Sequence, residues 1–441
     1  MNTPIVDFVK GYVKKDVSRF HMPGHKGKGF LGCEEYDITE IGGADVLSQA
    51  EGIIKMSEDN ASALFDTAHS FYIAQGSSTG ISAMLSLVKK TESEKTLILA
   101  ARNVHKAFIH AAALLDLDVK WLTNESSPSI LKCEITPDLV EQKSKESSQK
   151  PSAVYLTSPD YLGNMQNIRE ISLVCKKFNI PLLVDNAHGA YLKFLEKSLH
   201  PIDLGATLAC DSAHKTLPVL TGGAYLHISK DAPKEFLDAA REKISLFSST
   251  SPSYLILQSL DMCNLYLDKD YKKDLSICIE KTDEIKKYIK EKGFNLTNSE
   301  PLKLVIKTQG EHLAKALREH DIEPEFYDRD YLVLMITPQN RLKDFKRLKR
   351  AFSHISPDVK KPRENKITLP SPIRKMSIRD AVLSPSETVE TKNAEGRICA
   401  APTVSCPPAV PIAVSGEEIT KEIIELLKYY GIDKIKVVKQ I

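Results

Sequence analysis

The chain has 441 residues, and its 60 Lys and Arg nearly cancel its 58 Asp and Glu, leaving a formal charge of +2. That balance excludes a protein that grips a polyanion by bulk charge, so no nucleic-acid partner is expected. Apolar residues make up 42% and charged residues 27%, ordinary globular usage, and no stretch approaches the roughly 20 uninterrupted apolar residues of a membrane span. A soluble protein with no membrane partner is expected, and at roughly 150 residues per domain the length suits two or three domains. The eight cysteines lie scattered without a CxxC pair, and the opening MNTPIVDFVKGYVKK lacks a long apolar core and a small-residue cleavage site. Reduced thiols and a cytoplasmic location are therefore expected, and the glycosylation patterns at Asn60, Asn124 and Asn295 are read as chance.

In chain order, the first 60 or so residues hold too many glycines for a core element and read as an arm wrapped on other structure. Within them, His21 and His25 have an HxxxH spacing that could bind zinc on one helix face. Pro23 and Gly24 intervene, so no helix and no metal site are predicted there. From about residue 70 to 230, β-rich runs alternate with amphipathic stretches, the rhythm of a mostly parallel sheet covered by helices. The runs are 96–100, 117–122, 152–159, 181–189, 206–215 and 222–229; the last follows too closely for a helical crossover and is predicted to return antiparallel. Between them, NIREISLVCKKF puts Ile168, Ile171, Val174, Cys175 and Phe178 on one helical face. Residues 254–294 read as helical. A smaller α/β unit follows, with strands at 302–308 and 331–337 around the helix GEHLAKALREHDI. Pro357–Pro372 reads as a linker, and the tail ends in a helix from Ile419 to about Tyr430.

Four segments carry chemistry. Asp211-Ser-Ala-His-Lys-Thr-Leu-Pro218 closes a predicted strand, so Lys215 stands at the mouth of the sheet beside a hydroxyl and an imidazole. That setting suits an amine kept neutral to form a Schiff base with an aldehyde cofactor. A lone lysine is usually a solvated surface charge; its neighbours raise the stakes. In Leu183-Val-Asp-Asn-Ala-His-Gly189, Asp185 ends an apolar strand, where catalytic groups of open α/β sheets gather. It could hold a pyridine nitrogen protonated so that the ring accepts electrons from a carbanion; taken alone it is as readily a capping residue. Ala74-Gln-Gly-Ser-Ser-Thr-Gly80 leads into a helix, and its glycines, hydroxyls and free N–H groups suit a small phosphate rather than a nucleotide. In Asn103-Val-His-Lys-Ala-Phe108, His105 could lie flat on an aromatic ring.

The combination and its order identify what the chain is similar to. With Phe20-His-Met-Pro-Gly-His-Lys-Gly27, Thr250-Ser-Pro-Ser-Tyr254, Ala394-Glu-Gly-Arg-Ile398 and the Pro407-Pro-x-x-Pro…Gly416-Glu417 tail, the chain resembles the bacterial ornithine/lysine/arginine decarboxylases over nearly its whole length. The resemblance implies the fold-type I, aspartate aminotransferase-like α/β architecture, a three-layer sandwich with a mostly parallel sheet and small C-terminal α/β domains. It implies an arm over 1–60, a large cofactor domain over 61–255, a linking helix and small domain over 256–360, and a C-terminal subdomain over 361–441. The cofactor implied is pyridoxal 5'-phosphate, with Lys215 as its covalent anchor, Asp185 at the ring nitrogen and His105 on the ring face. Ser78, Thr79, Ser212 and His214 would contact the phosphate, and His188 would adjoin the reacting centre. Thr250 to Ser253 would reach the phosphate region of a neighbouring subunit, making a homodimer with shared active sites the minimal unit.

The activity implied is decarboxylation of arginine, lysine or ornithine to the amine and carbon dioxide, feeding polyamine biosynthesis. Longer family members begin with a wing domain; HMPGHKG starts here at residue 21, so no wing and no ring assembly through one are expected. The family's Ser-Pro-Thr-Tyr reads Ser158-Pro-Asp-Tyr161, which adds a carboxylate. Glu417, Asp160 and Glu395 are candidates for the substrate's distal cation. His188 and Lys215 are both candidates to protonate Cα. An aminotransferase or other lyase shares the Lys, Asp and phosphate cradle and is the alternative reading.

Overall fold

A computed structural model describes residues 1–90, 95–123, 129–357, 371–402 and 410–440. The linker expected over Pro357–Pro372 and the Pro407-Pro408 pair fall largely outside these residues. The strands are β1 (His69–Ile73), β2 (Leu97–Ala101), β3 (Asp118–Leu122), β4 (Ala153–Thr157), β5 (Leu182–Asp185), β6 (Leu208–Asp211), β7 (Ala224–Ile228), β8 (Lys303–Lys307), β9 (Phe326–Tyr327), β10 (Tyr331–Met335), β11 (Ser386–Glu390) and β12 (Lys434–Val438). The helices are α1 (Pro4–Lys14), α2 (Ile53–Phe65), α3 (Ser77–Leu87), α4 (Lys106–Leu114), α5 (Pro137–Lys145), α6 (Ile168–Lys177), α7 (Ala213–Thr216), α8 (Lys234–Ser245), α9 (Tyr254–Lys269), α10 (Tyr271–Glu291), α11 (Gly310–Arg318), α12 (Leu342–His354), α13 (Ile378–Leu383) and α14 (Lys421–Tyr429).

Two compact units divide the chain, Met1–Val88 with Pro181–Leu275 and Lys89–Ile180 with Ser276–Ile441. In the first, the strand order is β1-β7-β6-β5. β5 and β6 run parallel, while β7 is antiparallel to both β6 and β1, as its short connection predicts. Every residue of β5, β6 and β7 is buried, so these strands carry apolar side chains on both faces. Helices α2, α3 and α8 pack against β1.

The N-terminal arm differs from expectation, because α1 and α2 are core elements. Ile5, Val9, Ile54 and Phe65 are fully buried. The glycines that suggested an arm cluster between Gly24 and Gly52, whereas Ile5, Val6 and Val9 repeat at helical spacing. Thr3, the N-cap of α1, makes no side-chain cap bond. Instead Asp261 of α9 accepts from Ile5 N and Val6 N, both at 3.0 Å, satisfying two first-turn donors from outside the helix.

The second unit contains the parallel strands β4-β2-β3, the antiparallel sheet β8-β10-β9 and the antiparallel pair β11-β12. α6 forms where its sequence predicts. Asn167 caps it by accepting from Glu170 N, and Lys176 and Lys177 lie in its last turn, complementing the helix dipole. The helical stretch expected over 254–294 is two helices, with Asp270 between α9 and α10.

Arg102, next after β2, donates to the carbonyls of Pro411 and Ile412, both at 3.0 Å, and to Glu417 Oε2 at 3.1 Å. Val414 N donates to the same carboxylate oxygen at 2.8 Å. Both charged side chains are buried. Oε2 of Glu417 thereby holds the tail, while its Oε1 is buried without a hydrogen-bond partner among the described residues. Removing one member of a buried pair strands the other, so Arg102→Met is expected to cost about 3–5 kcal/mol of stability. A thermal-unfolding midpoint equal to that of the parent would show that this clasp contributes nothing.

Candidate active site

The site residues of the first unit are carried by the start of α3 and by the segments that follow β5 and β6. Gly76 precedes α3 with φ +84°, a conformation natural to glycine alone. Gly76 N donates to Gly222 O at 2.7 Å. A Cβ on Gly80 would come within 2.5 Å of Cys210 Sγ and 2.9 Å of Ile73 Cδ1, so the bare glycine lets the first turn of α3 settle against β6 and β1. At that turn Ser78 is exposed and Thr79 buried. Ser212 Oγ donates to Ser77 Oγ at 2.6 Å, which joins the end of β6 to the start of α3. N–H groups in a first helical turn have no intrahelical partners, so hydroxyls and N–H donors converge on one spot.

Asp185, the last residue of β5, is 2% exposed and its Oδ1 accepts from Ala187 N at 3.1 Å. Three residues on, His188 Nε2 lies 3.1 Å from Lys215 Nζ. Lys215 sits in the single turn of α7, directly after β6. Its neighbour His214 is tied down through Nδ1–H to Gly223 O at 2.9 Å. Burial, with the Lys215 charge adding to it, pushes the His214 imidazole below its usual range against the opposing pull of that bond. The Cys210 thiol is pushed well above its usual value by burial first and then by the carboxylates of Asp185 and Asp211. Two carboxylates thus stand at these strand ends, close enough to act on a buried thiol alongside Lys215.

His105 belongs to the second unit, where it caps α4 by accepting from Ala107 N at Nδ1, 3.1 Å away. Its assignment to a ring face stays with the resemblance. His21 and His25 hydrogen-bond to Tyr12 (2.7 Å) and Asp37 (3.2 Å) respectively. Thr250 and Ser251 are exposed. Asp160 is buried against Asn164, and burial pushes its carboxyl up to about 6. Glu395 is a surface acid 3.7 Å from Lys421.

The residues fit a pyridoxal phosphate. Besides an amine, a strand-end carboxylate and a hydroxyl-rich helix start, Gln75 Oε1 and Thr216 Oγ1 flank the turn and the lysine in sequence. Both are buried without a hydrogen-bond partner among the described residues.

Residues 3–348 match the family described as Orn/Lys/Arg decarboxylase, major domain, and residues 368–434 match its C-terminal domain. The chain belongs to the Orn/Lys/Arg decarboxylase family. As a member it is a carboxy-lyase that acts on a basic amino acid. It is 29% identical to the arginine decarboxylase of Halalkalibacterium halodurans over 95% of this chain and 91% of that one. It is 28% identical to the uncharacterized protein YaaO of Bacillus subtilis, over 97% and 94%. Among solved structures it resembles the Francisella novicida lysine decarboxylase LdcF, with TM-score 0.81, 18% identity and coverage of 99% of this chain and 81% of that one. The constitutive lysine decarboxylase of Escherichia coli gives 0.79, 19%, 99% and 82%. The fold is accordingly the fold-type I, mostly parallel α/β sheet of these decarboxylases. No helix among the described residues is long and apolar enough to cross a membrane.

Sequence reasoning passed over Asn186, Asp211, His200, His227 and the packing role of Gly80. Asn186, Asp211 and Gly80 lie inside motifs, where nothing distinguishes them from fillers, while His200 and His227 lie outside any.

Proposed function

We propose that this family member binds pyridoxal 5'-phosphate on Lys215 and converts L-arginine to agmatine and carbon dioxide. The observation that carries the proposal is the 3.1 Å approach of Lys215 Nζ to His188 Nε2 beside the buried Asp185. When bound, the cofactor supplies an electron sink for the pair released as the carboxylate leaves. Lys215 would hold it covalently, and Asp185 would keep its ring nitrogen protonated. Ser78, Thr79, Ser212 and His214 would hold its phosphate. Because Nζ and Nε2 are within hydrogen-bonding distance, a proton can pass between them. Lys215 and His188 together would then deliver the proton that replaces the carboxylate at Cα. The resemblance alone assigns His105 to the ring face, and it also supports the domain boundaries near residues 255 and 360.

The choice of arginine is supported by four relatives named arginine decarboxylase that align over 94–97% of this chain; a fifth, named biodegradative arginine decarboxylase, aligns over 62%, and those named lysine decarboxylase over 52–57%. We infer a cytoplasmic homodimer with shared sites, supported by the exposed Phe20, Phe30 and Leu31, which are 96%, 105% and 85% accessible. Apolar groups of that size left in water favour self-association. Agmatine is a polyamine precursor, which would give the reaction its place in metabolism. The test is incubation of purified protein with pyridoxal phosphate and arginine, lysine or ornithine in turn, followed by identification of the amine. Agmatine is expected; cadaverine or putrescine alone would reassign the substrate, and a keto acid formed only with an acceptor would favour a transaminase.

A further inference from the structure

Beneath the site lies a buried polar network that the proposed chemistry does not use. Asp211, the last residue of β6, is fully buried together with His200 and His227. Its Oδ2 accepts from His200 Nε2 at 3.0 Å and from His227 Nε2 at 3.2 Å, and its Oδ1 accepts from Asn186 Nδ2 at 2.7 Å. A carboxylate taken out of water is costly unless its lone pairs are met, and here three donors meet them. The two imidazoles pull the Asp211 carboxyl far below its usual range despite its burial, so it stays anionic.

The imidazoles are themselves anchored. His227 Nδ1 lies 2.8 Å from Ser70 Oγ, which lies 2.8 Å from Thr67 Oγ1. His200 Nδ1 accepts from Ile202 N at 3.4 Å, which leaves the ring proton on Nε2, pointed at Asp211. The three side chains have the right types to bind a divalent metal, which would have to displace the Nε2 protons that now point at Asp211. With those protons in place the cluster is a hydrogen-bond network.

From this network a contact runs toward the site through Asn186, whose backbone leaves it little freedom. Asn186 N donates to Cys210 O at 2.9 Å, extending the pairing of β5 with β6, and Gly189 N donates to Asn186 O at 2.8 Å. A Cβ on Gly189 would collide with Asn186 Oδ1. Asn186 has Asp185 on one side and His188 two residues on, while Asp211 stands four residues before Lys215. The Asn186–Asp211 bond thus cross-links the two strand ends that carry the acid, the imidazole and the lysine.

We propose that Asp211 and Asn186 are positioning residues of the active site, an anionic anchor and its side-chain link that hold Asp185 and His188 in place relative to Lys215. The proposal rests on the assignment of those three residues to the cofactor and deepens it. A misplacement of about 1 Å can cost roughly 100-fold in rate.

The test uses the full-length protein loaded with pyridoxal phosphate. In Asn186→Ala, borohydride should still fix a pyridoxyl group to Lys215, and the protein should remain folded at the assay temperature although its melting temperature falls, since Asp211 Oδ1 loses its donor. The visible circular dichroism of the bound cofactor should change, and kcat should fall by about 10- to 100-fold with KM nearly unchanged. Asp211→Asn, whose amide oxygen can still accept from Asn186, should retain more kcat than Asp211→Ala. A parental dichroism band and kcat in Asn186→Ala would overturn the positioning role alone. So would a rate loss no larger than the loss of folded, cofactor-loaded protein. A parent in which borohydride fixes nothing to Lys215 would overturn the site assignment and the positioning role together.

Discussion

Lys215→Ala is expected to lower turnover by about 10⁴-fold or more, the scale of loss seen when a covalent catalytic group is deleted. The expectation follows from what surrounds the amine. Lys215 Nζ lies 3.1 Å from His188 Nε2, and the backbone on either side of it is pinned by Lys215 N donating to Ser212 O at 3.0 Å and His214 N donating to Gly223 O at 3.1 Å. No other lysine lies between Lys197 and Lys230, so the segment holds no replacement amine for covalent attachment. Two measurements check this, the amine released from substrate and the pyridoxyl group recovered after borohydride reduction. Both should vanish together. Near-normal turnover in the variant would remove the central assignment.

Asp185→Asn is the second large effect, and here the cofactor should remain attached. A carboxylate beside a basic nitrogen raises that nitrogen's pKa by about 1–3 units. The neutral amide gives this up, so the protonated fraction of the ring, and kcat with it, should fall roughly 10- to 1000-fold at neutral pH. The sign of the pH dependence follows. Protonation of the ring is favoured as pH falls, so the variant should recover part of its activity toward acid pH while the parent does not. Turnover equal to the parent across the pH range would reject the role of Asp185. Steady-state kinetics at several pH values, with cofactor content measured on the same samples, separate this outcome from simple loss of pyridoxal phosphate.

The segments proposed to carry the site are legible as short motifs at the ends of strands whose apolar runs are easy to read. PLLVD and TLACD become β5 and β6, and their last residues are Asp185 and Asp211. The antiparallel return of β7 was readable from a connection too short for a crossover. The first core helix was not, because the glycines of residues 24–52 dominate the composition of a region whose first 14 residues pack differently. His200 and His227 were invisible for another reason. They stand 11 residues before and 16 after Asp211, and only the folded sheet brings their rings onto one oxygen. The Arg102–Glu417 pair spans 315 residues, and no local pattern announces such a partner.

The clasp between Asp261 and the first turn of α1 bears on how the chain responds to cleavage. The glycine-rich loop that follows α1 is exposed at Lys26 and Lys28 in the single subunit, so a trypsin-like protease would reach it where the flanking Phe20, Phe30 and Leu31 are not covered by a partner. Yet Ile5 and Val9 are fully buried, and two amides of α1 end on Asp261. A cut in that loop would break the chain without freeing the peptide, since releasing it would expose an apolar helix face and strip donors from a buried carboxylate. The N-terminal segment would then persist as a non-covalent subunit of the protein it was cut from.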